Sequence, residues 1–214
     1  MASKKQMGAQ PNILLCEGKT DRHFFERFLE AHKLDEVFDV HEMEYTNGKG
    51  KVTKGITALG GWLVSASADP KYRRKSSILI IVDSDDDPEK ALRTARSQSV
   101  EAGKKTRGLT LPTQSLASVP RNRPGSLETL CIEALYEKWP DVKQPLEVYA
   151  SATGVDEWTS LSQQDKMRVH AAIAAKCRGR SNCPLGELLT MGTAGLDPDH
   201  AVFHDLIQLL KQKQ

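Results

Sequence analysis

Residues 76–88, "SSILIIVDSDDDP", decide how this chain must fold. Ile78 to Val82 is apolar at every position and mostly β-branched. Such a strand has both faces covered, as at the centre of a parallel sheet. It stops abruptly in acids at Asp83, Asp85, Asp86 and Asp87. Asp87-Pro88 then opens a helix, with Asp87 as N-cap and Pro88 at the first helical position.

Upstream, residues 12–25, "NILLCEGKTDRHFF", repeat the pattern. Ile13 to Cys16 is a short buried strand that ends at Glu17 and Gly18. Thr20 is expected to cap a helix whose Phe24, Phe25, Phe28 and Leu29 share one face. Between the two strands, a further strand is expected from Val37 to Glu44, a break at "TNGKGK", and a helix from about Val52 to Ser67. Beyond them, a fourth strand is expected at Leu109–Leu111 and a loop at "VPRNRPGS". Ser126 then caps a helix through Leu135. Helices follow around 145–152, 162–176 and 198–210. This order gives an α/β fold: a four-stranded, mainly parallel sheet with helices on both faces and a helical C-terminal extension. The expected division is a disordered lead-in over 1–11, an α/β core over 12–135 and a helical extension over 136–214 packed on that core.

With 214 residues, 39% apolar and 27% charged, the chain can bury one substantial core. No apolar run approaches the ~20 residues of a membrane span. The first residues lack the apolar segment of a signal peptide, so a cytoplasmic protein with no membrane partner is expected. Cys16 and Cys131 sit in apolar runs and read as core residues. Cys177 and Cys183, in "CRGRSNC", have the wrong spacing for a zinc knuckle. The net charge is only +2, but its distribution is uneven. Lys104, Lys105, Arg107, Arg121 and Arg123 share a stretch without acids, as do Arg168, Lys176, Arg178 and Arg180. Basic segments flanking an acidic spot suit a polyanion held beside a metal site; solvated loops are the alternative.

If the strands that end at Glu17 and Asp83 are parallel, their acids face one rim, where open α/β sheets bind ligands. Clustered carboxylates repel one another and persist when a divalent cation neutralises them. All-oxygen ligands favour Mg²⁺ or Mn²⁺.

These two stretches together resemble the Toprim domain, the metal-binding α/β module of topoisomerases, primases, small RNA-maturation nucleases and OLD-type nucleases. Glu17-Gly18 matches its first motif and Asp83-Ser84-Asp85 its second. Asp21 matches an acid that OLD-like members carry four residues after the glutamate. Leu127-Glu128 matches a pair that opens a later helix. The resemblance spans roughly residues 12–135 and implies a Toprim-like sheet. It implies that Glu17 binds metal or acts as general acid/base, and that Asp83 and Asp85 hold Mg²⁺ or Mn²⁺. Asp21 and Glu128 would complete a second site, and two ions ~4 Å apart would clamp a phosphodiester. Lys166 is a candidate to approach the scissile phosphate. Lys19 and Lys49 would contact phosphates at the same rim, and Arg121, Arg123, Arg178 and Arg180 the nucleic-acid backbone. His23 reads as a surface or partly packed residue.

The leading expectation is a metal-dependent nuclease on DNA or RNA, acting alone or beside a separate ATPase in a defence or repair system. No "GxxxxGK[ST]" occurs, so ATP hydrolysis would fall to that partner. The alternatives are a non-catalytic nucleic-acid or partner-binding module and a nucleotidyl-transferase or primase-like enzyme. A topoisomerase would need a strand-gating domain for which the chain has no room.

Overall fold

A computed structural model describes residues 7–213. Among these the chain forms β1 (Asn12–Cys16), α1 (Lys19–Ala31), β2 (Phe38–Glu42), β3 (Glu44–Thr46), β4 (Val52–Lys54), α2 (Leu59–Ser67), α3 (Pro70–Arg73) and β5 (Ser77–Asp83). Then come α4 (Pro88–Lys105), β6 (Thr113–Val119), α5 (Leu127–Lys138), α6 (Pro140–Ala152), α7 (Leu161–Lys176), α8 (Leu185–Leu188) and α9 (His204–Lys211).

The main sheet has the order β2-β1-β5-β6, and all three pairings are parallel. The two apolar strands of the sequence are its centre, with Leu14 opposite Leu79. Successive side chains alternate between faces, so each central strand feeds two cores. Leu14, Cys16, Leu79 and Ile81 pack under α1, α5 and the later helices as far as Leu210. Ile13, Leu15, Ile78, Ile80 and Val82 pack under α2 and α4. α1 buries Phe24, Phe25, Phe28 and Leu29, as its spacing predicts. Phe28 meets Phe203, just ahead of α9, at 5.5 Å between ring centroids.

Several elements depart from the sequence reading. Gly18, not Thr20, is the N-cap of α1, and the Asp21 side chain reaches back to the Gly18 N–H at 2.9 Å. The helix expected from Val52 begins only at Leu59. Val52–Lys54 instead pairs antiparallel with β3, closed by the turn around Gly48 and Gly50. Gly55, at φ +66°, then turns the chain into a short 3₁₀ segment. Gly61 lies where a Cβ would come 2.5 Å from the Tyr45 ring, so α2 and the hairpin approach at glycine distance. The fourth strand is Thr113–Val119, not Leu109–Leu111. Gly108 has φ +90° and Leu109 is 42% exposed, so the more apolar stretch is the approach to the strand. The lead-in expected over 1–11 falls partly on residues outside those described. The described part is held down: the Gly8 N–H donates to Asp39 Oδ2 at 2.5 Å, and Lys75 Nζ donates to the Gly8 and Gln10 carbonyls at 2.9 and 2.5 Å.

Candidate functional site

Because β1 and β5 are parallel neighbours, Glu17 and Asp83 emerge at the same carboxyl edge. The chain leaves β1 toward β2 on one side, while β5 and β6 extend the sheet on the other. The crevice between β1 and β5 is therefore the topological switch point, where ligands of open α/β sheets bind.

Glu17 bridges this crevice. Its Oε1 accepts the Asp83 N–H at 3.0 Å and its Oε2 accepts the Ile56 N–H at 3.3 Å. The 3₁₀ segment after the hairpin reaches Glu17 because Gly55 precedes it; a Cβ on Gly55 would stand 3.3 Å from Glu17 Oε2. Asp83 Oδ1 accepts the Leu127 N–H at the start of α5, at 3.2 Å. The next residue, Glu128, is buried: Oε2 accepts the Ser126 hydroxyl at 2.9 Å, and Oε1 stands 3.3 Å from Lys166 Nζ of α7. A small cavity is lined by Cys16, Glu17, Asp21, Asp83, Val119 and Leu127 among others.

The electrostatics show which acids share this space. Burial, then the charges of Asp21, Glu17 and Glu128, push Asp83 well above the usual carboxylate range. Burial, then Glu128, pushes Asp21 up to about 7, with Glu17 adding to the rise and the Gly18 N–H and Lys166 opposing it. Glu17 is raised by burial and by Asp85, against the two amides it accepts. Asp85 is exposed and raised by its partial burial and by Asp86. For Lys166, burial works downward, but Glu128, Asp21 and Asp83 outweigh it and raise the group.

The structure thus brings Glu17, Asp21, Asp83, Glu128 and Lys166 together, with Asp85 on the solvent side. Asp85 has φ +46°, and its carbonyl accepts the Gly125 N–H at 2.7 Å, which ties the acidic loop to the segment after β6. Asp87 is spoken for as the N-cap of α4, accepting the Lys90 N–H. Among the described residues, no three His, Cys, Asp or Glu side chains are grouped, as they stand, to hold a metal ion. The donor set nonetheless fits a hard cation in kind, being all carboxylate oxygen, with raised proton affinities that a cation would relieve.

The basic candidates divide. Lys19 is exposed at the first turn of α1, two residues from Glu17, and Lys49 is exposed at the hairpin tip. Arg121 is exposed in the loop that leads from β6 to Gly125. Arg123 is committed to Glu133 through two bonds of 2.7 Å. Both arginines line a groove of ≈ 490 Å³ between β6 and α9. Arg178 and Arg180 follow the C-terminal end of α7, which lies about 15 Å along the helix from Lys166. His23 Nε2 lies 3.3 Å from Glu187 Oε1 of α8.

Sequence reasoning missed the residues that hold α5 against α7. Thr129 Oγ1 accepts the Ser126 N–H at 2.9 Å and donates to Asp165 Oδ2 at 2.6 Å; both Thr129 and Asp165 are buried. Ser126 was legible as a cap, but nothing in the sequence ties Thr129 to a residue of α7. All four cysteines are buried thiols. Among the described residues, no helix is long and apolar enough to cross a membrane. No curated protein matches the chain, and no solved structure does. A family match covers residues 11–213, and the chain belongs to that family, described as Protein of unknown function (DUF3226).

Proposed function

We propose that the protein is a divalent-cation-dependent phosphodiesterase acting on nucleic acid through a Toprim-like carboxylate site. One observation carries this reading: four carboxylates, at the ends of β1 and β5 and in the first turns of α1 and α5, converge at the switch point of a parallel sheet, where burial and mutual repulsion raise the proton affinity of Asp21 and Asp83. Uncompensated charge beside apolar strands is costly, and a cluster of this kind is suited to a cation.

Asp83 and Asp85 are the proposed ligands of Mg²⁺ or Mn²⁺. The bound ion would neutralise charge on a phosphoryl oxygen and favour attack at phosphorus. Glu17, fixed by two backbone amides, holds the edges of the crevice in register and presents its remaining lone pairs to the site. Asp21, with its affinity for a proton near neutrality, can take or give a proton at its carboxylate. Lys166, Lys19, Lys49 and Arg121 supply positive charge for a phosphate backbone. A separate ATPase partner belongs to the same reading.

Asp83→Asn removes a ligand charge and nearly keeps the shape. Cleavage of single-stranded and duplex DNA and RNA should occur with the wild type in Mg²⁺ or Mn²⁺, vanish with chelator, and vanish in Asp83→Asn. Equal cleavage by both proteins would place the activity elsewhere. No cleavage by the wild type, with nucleic-acid affinity indifferent to Asp83→Asn, would favour a binding module.

A further inference from the structure

Asp21 and Glu128 invite a second divalent ion, but a cation already stands beside Glu128. Lys166 reaches in from a half-exposed position on α7, and its ammonium lies 3.3 Å from the buried Glu128 carboxylate. Its placement is built in. The neighbouring Asp165 accepts the Thr129 hydroxyl at 2.6 Å, Thr129 accepts the Ser126 N–H, and the Ser126 hydroxyl donates to Glu128. Asp165 also faces the buried Arg168 at 3.7 Å. The start of α5 and α7 are thus joined through the buried Thr129–Asp165 bond, next to the Lys166–Glu128 pair.

The remaining oxygens point the same way. One Glu128 oxygen serves Ser126 and the other faces Lys166, while Asp21 Oδ2 accepts the Gly18 N–H. Asp83 accepts the Leu127 N–H on Oδ1, but neither Asp83 nor Asp85 has an ion-pair partner among the described residues. We propose that Lys166 is a resident cation that takes the place of a second divalent ion at the Asp21–Glu128 end, so that the site binds one divalent ion rather than two. This rests on the carboxylate-site reading above and adds its stoichiometry. Lys166 is thereby a charge-compensating residue.

The test is Mn²⁺ binding by calorimetry, checked by electron paramagnetic resonance of free Mn²⁺, on the whole chain without substrate. The wild type and Lys166→Arg should each bind one ion at the site. Lys166→Met should bind two, with the first at least about tenfold tighter, because a like charge at close range has been removed. Lys166→Gln gives the same count should the methionine variant fail to fold without metal. Asp83→Asn should lose the ion seen in the wild type. Two ions in the wild type, or one in both the methionine and glutamine variants, overturn the inference and leave the carboxylate site standing. No ion in the wild type, or binding indifferent to Asp83→Asn, overturns both.

Discussion

At the scale of single residues, the acids act through their surroundings rather than their number. Asp21 is the sharpest case: buried beside Glu128 and Glu17, it holds its proton up to about 7. The folded state then binds this proton more tightly than the unfolded chain, whose aspartate titrates near ~4. Its contribution to stability is therefore full below about pH 4 and is lost as pH rises toward about 7, at up to about 1.4 kcal/mol per pH unit. Asp21→Asn keeps an oxygen for the Gly18 N–H and removes the titration. In chelator, its melting temperature should fall less than that of the wild type between pH 4 and pH 7; equal slopes would remove Asp21 from the cluster. Asp85 separates backbone from carboxylate. Its φ of +46° is one that aspartate tolerates and glycine adopts freely. Asp85→Gly should melt within about 1 kcal/mol of the wild type, yet weaken the melting-temperature rise that Mn²⁺ produces through linkage. An unchanged Mn²⁺ response would take Asp85 out of the ligand set. Glu17, Asp83 and Asp85 were legible because each ends an apolar strand. That Glu17 would accept two backbone amides was not, because one of them comes from a turn 39 residues away in the chain.

At the scale of elements, legibility followed burial on both faces. β1 and β5 read clearly because every position between Ile13 and Cys16 and between Ile78 and Val82 is buried. β6 lies at the sheet edge with mixed composition, "TQSLASV", and the more apolar Leu109–Leu111 drew attention from it. The β3–β4 hairpin was hidden for another reason. Its strands have three residues each, and Val52 is 48% exposed, so no periodicity marks them. The clasp between α5 and α7 is an element-scale device with a direct test. Thr129→Val keeps the shape but leaves the Ser126 N–H without its acceptor and Asp165 without its donor. Buried groups left unsatisfied cost about 1–3 kcal/mol, which urea unfolding should register. If Thr129→Val unfolds with the wild-type midpoint, the Thr129 hydroxyl contributes nothing to holding α5 against α7.

Across the whole molecule, a second buried polar cluster lies apart from the carboxyl-edge acids. Asp39 and His41 on β2 are buried, with His41 Nε2 2.9 Å from Asp39 Oδ2. Lys75, whose side chain is 4% exposed, stands 3.7 Å from the same oxygen and binds the carbonyls of Gly8 and Gln10. The amino-terminal segment, β2 and the approach to β5 meet on these charges. Burial lowers the Lys75 affinity for its proton, and Asp39 opposes that. Among the described residues, Asp39→Ala leaves the buried ammonium hydrogen-bonded to the Gly8 and Gln10 carbonyls, with Asp69 the remaining acid that acts on it, and breaking such a pair costs about 3–5 kcal/mol at neutral pH. The remaining lysine, its proton held still more weakly, binds fewer protons folded than unfolded. The stability of Asp39→Ala should therefore recover as pH rises from 7 toward ~10, the range in which an unfolded lysine still holds its proton. Asp39→Ala/Lys75→Met, which removes both charges, should regain most of the loss at pH 7. Neither variant touches the carboxylate cluster, so the melting-temperature rise produced by Mn²⁺ should match that of the wild type, as expected for independent sites. Urea unfolding at pH 7 and 9.5, amide exchange of residues 7–10, and melting with and without Mn²⁺ measure these outcomes. A double variant as unstable as Asp39→Ala would show that the loss comes from the groups that Asp39 holds besides the lysine, the Gly8 amide and the His41 ring, not from the stranded charge.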